Sequence, residues 1–362
     1  MLRHKDHFHG SDLEKIEELY KIPKEKILSF SGNVNPLGMP KSVLEYAKAH
    51  LDCLSAYPDR EYKDLKRAIA AYADCPEDFI LTGSGSSELI THFMSKTAPK
   101  RALIIGPTYS EYERAVIINK GTVKYFPLRE EEGFSLNTEA LIEKLESEPS
   151  LLVLCNPNNP TGTNVSTEEL RRILNVCMEH GVFLLIDETY IEFAEDPGRI
   201  SAVPLTQEYE NLAVLRGTSK FFALPGLRLG YMITQNRELY EKFHSTETPW
   251  TVNSLAAALG PVMFRDRDYI EKTRALIHQE RERLYSVFKE SRRFSPIRPT
   301  ANFMMLKVLD PELNSGLLFE KCIREAMMIR DLKNFPFLSD RFIRLCFLMP
   351  EQNDRLLSLL LN

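Results

Sequence analysis

A chain of 362 residues is long enough to bury the core of a large domain and of a smaller second one. With 43% hydrophobic and 27% charged residues it has an ordinary globular composition, and a net charge of −5 gives no electrostatic reason for a nucleic acid or an anionic membrane as partner. No apolar run approaches the roughly 20 residues that span a bilayer, and Met1-Leu2-Arg3-His4-Lys5-Asp6 lacks the apolar stretch of a signal peptide, so the cytoplasm is the expected compartment.

Residues 41 to 75 read as charged helices. From about 77 to 245, short apolar runs alternate with helix-like segments. Phe79-Ile80-Leu81 runs into Gly83-Ser84-Gly85-Ser86-Ser87-Glu88, ahead of an apparent helix from Leu89 to Met94. Glycines and serines at a helix N-terminus present free backbone N–H groups, which bind phosphate; a flexible linker is the competing reading. Ala102 to Ile105 leads to Pro107, and Glu111 to Ile118 reads as a helix. Leu151 to Cys155 ends in Asn156-Pro157-Asn158-Asn159-Pro160-Thr161-Gly162, whose Asn-Pro and Thr-Gly steps signal turns. A turn explains the prolines but not the amide side chains at a strand's carboxyl end. Ser166-Thr167-Glu168-Glu169 has capping-box form, with Leu170, Ile173, Leu174 and Cys177 on one helical face.

Phe183 to Ile186 ends in Asp187-Glu188-Thr189-Tyr190, and Leu212 to Leu215 ends in Arg216-Gly217-Thr218-Ser219-Lys220. Continuous apolar runs of this kind suit parallel strands buried on both faces. Their alternation with helices argues an α/β sheet with helices on either side. After Asn253 one long amphipathic stretch continues to Phe288. Asn302 to Leu306 and Phe342 to Phe347 then read as strands around a helix from Leu317 to Met327, an α+β end.

The strand ends carry the chemistry. Lysine forms Schiff bases with carbonyl compounds, and Lys220 stands beside small hydroxylated residues; alone it reads more readily as a solvated surface charge. Asp187 sits where open α/β sheets place ligands and suits a protonated pyridine nitrogen; a helix N-cap is the alternative. Cys53, Cys75, Cys155, Cys177, Cys322 and Cys346 are scattered without a Cys-x-x-Cys pair, and His4 and His7 read as part of a solvated tail, so no metal site is expected.

Asn159-Pro160-x-Gly162, Asp187-x-x-Tyr190, Ser219-Lys220 and Gly226-Leu227-Arg228-x-Gly230 occur in the order and spacing of the fold-type I pyridoxal-phosphate enzymes, the aspartate aminotransferase superfamily, which this chain resembles over nearly its whole length. The resemblance implies a large domain with a mostly parallel seven-stranded sheet (residues 46–260), a small α+β C-terminal domain (261–362), and an N-terminal arm with part of the small domain (1–45). Asn33-Val34-Asn35-Pro36-Leu37-Gly38-Met39-Pro40, Tyr57-Pro58-Asp59, Thr248-Pro249-Trp250-Thr251-Val252-Asn253, Asn334-Phe335-Pro336 and His9-Gly10 resemble the cobalamin-pathway L-threonine-O-3-phosphate decarboxylases more than their relatives, the histidinol-phosphate aminotransferases. A non-catalytic sensor of this fold is disfavoured by the intact Lys220 and Asp187 and by the lack of a basic N-terminal module.

The resemblance also implies roles. Lys220 holds pyridoxal phosphate covalently and moves protons. Asp187 pairs with the pyridine nitrogen, Tyr190 and Asn159 bond the phenolic oxygen, and Tyr109 stacks on the ring. Ser86, Ser87, Ser219 and Arg228 hold the cofactor phosphate. Tyr57 reaches the neighbouring subunit's site, which implies a homodimer with shared sites. His9, Asn33, Asn159, Arg330 and Arg344 face the substrate, Arg344 at its carboxylate and Arg330 near its phosphate. Relatives usually carry Ser or Thr where Gly217 stands, so Thr218 or a backbone amide is expected to substitute. Ser11 and Leu348 also depart from the decarboxylase pattern.

Overall fold

The computed structural model describes residues 10, 12–146, 149–246 and 249–362. Seven strands form the large sheet: β1 (Ile80–Gly83), β2 (Arg101–Gly106), β3 (Thr122–Pro127), β4 (Leu151–Cys155), β5 (Phe183–Asp187), β6 (Leu212–Gly217) and β7 (Gly230–Ile233), in the spatial order β1-β7-β6-β5-β4-β2-β3. All pair in parallel except β7, which is antiparallel to both its neighbours. The five apolar runs seen in the sequence all become strands of this sheet. Leu152, Leu154, Leu184, Ile186, Leu212 and Val214 enter one core layer, and Leu151, Val153, Cys155, Leu185, Ala213 and Leu215 enter the other. That two-sided burial is why these strands read as unbroken apolar runs.

Two strands gave no such signal. β3 is an edge strand, half exposed, with Thr122 and Lys124 facing out. β7 opens on Gly230, which a sequence reading takes for turn punctuation. A Cβ there would lie 2.7 Å from the Ser86 backbone nitrogen. The glycine lets β7 run directly beneath the start of the helix Ser86–Thr97.

The long stretch after Asn253 is two helices, Ser254–Arg265 and Arg267–Lys289. Asp266 divides them, its side chain accepting from the Tyr269 backbone N–H at 3.0 Å. The helix expected from Leu317 to Met327 spans Ser315–Arg324, capped by Asn314. The chain then turns at Ala326, in the left-handed region at φ 57°, and Met327–Met328 pairs in parallel with Leu28–Ser29. The second sheet holds β8 (Phe294–Pro296), β9 (Phe303–Val308), β10 (Arg330–Asp331) and β11 (Phe342–Cys346), antiparallel in the order β10-β11-β9-β8. Ser166 and Glu169 form the capping box of the helix Thr167–Glu179. No helix among the described residues is long and apolar enough to cross a membrane.

A buried ion pair ties the sheet's centre. Arg216, near the end of β6, donates to Glu188, just past β5, through Nε at 2.9 Å and Nη2 at 2.7 Å. Their side chains are 8% and 0% exposed. Glu188 also accepts from the Ser201 hydroxyl and the Ala202 N–H. Arg216→Ala leaves that carboxylate unpaired and buried, so it should lower unfolding stability by about 3–5 kcal/mol, read as a fall in the urea midpoint.

Candidate active site

The carboxyl ends of β4, β5 and β6 lie side by side, with Cys155 in register with Asp187 and Asp187 with Leu215. Above them opens a cavity of about 450 Å³. Of the residues singled out in the sequence, Lys220, Asp187, Tyr190, Ser86, Ser87, Tyr109, Asn159, Ser219, Arg228, Asn33, Arg330 and Arg344 all line it. Tyr57 does not. It is 77% exposed and stacks on Trp250 with ring centroids 4.2 Å apart. His9 lies outside the described residues, as do Ser11 and Thr248; Gly10 lines the cavity.

Lys220 is half-buried and donates from Nζ to the Gly32 carbonyl at 2.7 Å. Burial, helped by the nearby Arg344 charge, pulls its amine down to about 8. Asp187 is buried, and burial raises its carboxyl above the ordinary range against the pull of three hydrogen bonds. Oδ1 accepts from the Thr189 N–H at 2.9 Å and the Thr189 hydroxyl at 2.5 Å. The turn-stabilising duty expected of a cap is thus met by one oxygen. Oδ2 accepts from the Tyr112 hydroxyl at 2.6 Å. Tyr112, Thr189 and the Gly32 carbonyl were not picked out from the sequence. The one available cue was a tyrosine three positions after Tyr109, within the same segment.

Tyr190 accepts from Asn33 Nδ2 at 3.3 Å, and Asn33 itself sits at φ 54°. Arg344 is buried; it donates to Asn159 Oδ1 and, at 2.7 Å, to the Ser31 carbonyl. Its Nε has no partner, and no acidic side chain among the described residues pairs with it. Burial lowers its pKa. Arg330 sits directly opposite Arg344 in the β10–β11 register. Burial and the Arg344 charge bring Arg330 down to about 10.

One end of the cavity is shaped for an anion. The helix Ser86–Thr97 begins there, so the Ser86 and Ser87 N–H groups have no intrahelical acceptor. Gly85, at φ 89°, passes against Arg228; a Cβ at Gly85 would fall 2.4 Å from Nη2. Ser219 completes the wall. Thr218 does not substitute for the hydroxyl missing at Gly217: its hydroxyl and its N–H both donate to the Leu229 carbonyl, at 3.0 and 3.2 Å. A half-buried amine, a carboxylate across the floor, an aromatic wall at Tyr109 and a helix N-terminus with an arginine fit the aldehyde, pyridine nitrogen, ring and phosphate of pyridoxal phosphate.

Comparison with known proteins agrees with this geometry. Residues 25–360 match the model of the family described as Aminotransferase class I and II. A Caldanaerobacter subterraneus subsp. tengcongensis protein provisionally named threonine-phosphate decarboxylase is 40% identical over 321 residues, 89% of this chain and 86% of that protein. The threonine-phosphate decarboxylase of Salmonella typhimurium is 32% identical over 354 residues, 98% of this chain and 96% of that protein. The crystal structure of the histidinol-phosphate aminotransferase from Clostridium acetobutylicum superposes with a TM-score of 0.85 at 31% identity, covering 91% of this chain and 97% of that one.

Two measurements test the site. In the cofactor-free protein, reductive methylation of Lys220 should rise with pH to a half-maximum near 8, because the lowered pKa leaves the amine neutral above that value. Arg344→Ala removes a disfavouring charge and should move the midpoint up. The second test is Gly217→Ser. A Cβ at Gly217 meets nothing closer than Ser86 at 3.6 Å. The added hydroxyl should tighten cofactor binding by about 0.5–1.5 kcal/mol, measured by equilibrium dialysis.

Proposed function

We propose a reaction for a chain that belongs to the class I and II aminotransferase family: pyridoxal-phosphate-dependent decarboxylation of a phosphorylated amino acid. The substrate is L-threonine O-3-phosphate and the product 1-amino-2-propanol O-phosphate, a step of cobalamin biosynthesis in the cytoplasm. The observation that carries this reading is the pair of guanidiniums. Arg344 is buried without an acidic partner among the described residues, and Arg330 faces it in register on the adjacent strand. A buried guanidinium with no acid beside it suits one anionic group, and Arg330 on the next strand is placed for a second. O-Phosphothreonine brings both a carboxylate and a phosphate; histidinol phosphate brings a phosphate alone.

When bound, the cofactor supplies an electron sink for bonds at the substrate's Cα. The chain's residues decide which bond uses it. Arg344 would grip the carboxylate and Arg330 the phosphate, and the two together would set the torsion that orients the Cα–carboxylate bond. Guanidinium forks suit both groups because they bond oxyanions in pairs. Asp187 would hold a proton on the pyridine nitrogen. The carboxylate leaves as CO2, and Lys220 returns one proton to Cα, a task its pKa of about 8 suits.

The protein works as a homodimer in this reading. Tyr57 is exposed and stacked on Trp250, and Leu37, Met39, Leu44, Leu51 and Leu54 are also exposed apolar side chains. It serves the cofactor phosphate of a second copy.

The reaction is tested by incubation with O-phosphothreonine and no 2-oxo acid. CO2 should be released, and Arg344→Ala should cost about 2–4 kcal/mol in kcat/KM. The Clostridium likeness favours a second reading, amino transfer. 2-Oxoglutarate-dependent transfer from histidinol phosphate, with no CO2 from O-phosphothreonine or O-phosphoserine, would establish it instead. The shared site is tested with Tyr57→Phe, which should weaken cofactor retention; a fully active monomer contradicts it.

A further inference from the structure

Tyr112 has no part in the reaction as described so far, yet its hydroxyl meets the acid on the cavity floor. It stands on the helix Glu111–Ile118, 1% exposed. A carboxylate has about four lone-pair positions. On Asp187, Oδ1 is filled twice by Thr189, and Oδ2 takes a single donor among the described residues, the Tyr112 hydroxyl at 2.6 Å. One acceptor position on Oδ2 therefore remains, and Asp187 borders the cavity.

We propose that Tyr112 is a positioning residue for Asp187: its phenol fixes the rotation of the carboxylate and leaves the last acceptor position of Oδ2 for a protonated ring nitrogen. The proposal rests on reading Asp187 as the pyridine-nitrogen partner. The same tyrosine packs edge-on against Tyr109, with centroids 5.7 Å apart and planes at 86°. One side chain thus sets both the acid beneath the ring and the aromatic wall against it.

The titratable groups around Asp187 are Tyr112 and Tyr109 from this segment, Cys155 from β4 and Tyr190 beyond β5, with Lys220, Arg228, Arg330 and Arg344 as cations and Glu113 as a second acid on the cavity wall. Burial raises both the thiol and the phenols. All four are neutral at physiological pH, which leaves Asp187 on the floor and Glu113 on the wall as the acids of this cavity. A hydrogen bond to the charged carboxylate favours that form. Losing it makes Asp187 a weaker partner for a protonated nitrogen, which then gives up its proton at lower pH.

The test is Tyr112→Phe, reconstituted with pyridoxal phosphate and followed by absorbance titration. Cofactor affinity should fall about tenfold, and the pH of the cofactor's spectral transition should move down. The circular dichroism of the cofactor-free variant should match wild type. Wild-type affinity and transition pH would overturn the proposal. Asp187→Asn, run in parallel, separates the two ideas. If that variant also leaves the spectrum unchanged, the reading of Asp187 itself fails; if it alone changes, the role of Tyr112 fails. Should Tyr112→Phe not fold, 3-fluorotyrosine at position 112 provides a more acidic donor in the same shape. It should raise the transition pH, and an unchanged pH would count against the proposal.

Discussion

Taking a carboxylate out of water costs several kcal/mol unless donors meet it. The chain buries two in succession, Asp187 and Glu188, where β5 ends. They are satisfied differently. Glu188 takes a full ion pair from Arg216 and further donors from Ser201 and Ala202. Asp187 takes hydroxyls and one amide, neutral donors throughout. The first arrangement closes the account of charge inside the protein and joins β5 to β6. The second leaves a carboxylate with no fixed cation among the described residues, at the edge of the cavity where a ligand can bring one. Because Arg216 and Lys220 flank the same turn, locking the first also sets the position of the amine.

How much of this was legible follows from what each residue must do alone. The strands β1, β2, β4, β5 and β6 were visible because burial on both faces gives each a continuous apolar run. The residues at their carboxyl ends were visible because small, amide and acidic types there have little structural reason to cluster. β3 was hidden by its half-exposed edge position, and β7 by opening on Gly230, whose absent side chain serves a neighbouring helix. The division at Asp266 was hidden because an amphipathic pattern continues across it.

Side-chain commitments were less readable than positions. Thr218 looked available to an anion, but its backbone and hydroxyl both turn to Leu229. Tyr112 looked like a helix residue of no special note, because a phenol's partner is fixed by tertiary contact and not by spacing. Arg344 and Arg330 lie 14 positions apart in the chain, and only the antiparallel register of β10 and β11 brings them face to face.

That register has a consequence for handling the protein. Two neighbouring guanidiniums in a partly desolvated site repel, and any oxyanion that settles between them relieves the strain in the folded state alone. Binding to the native state raises stability as RT ln(1 + [L]/Kd). Phosphate or sulfate in a buffer would therefore act as a stabiliser and as an occupant of the place proposed for the substrate's anions together. The melting temperature would climb with the same anion concentration that slows turnover, and the solution in which the protein is most durable would be one in which it works least.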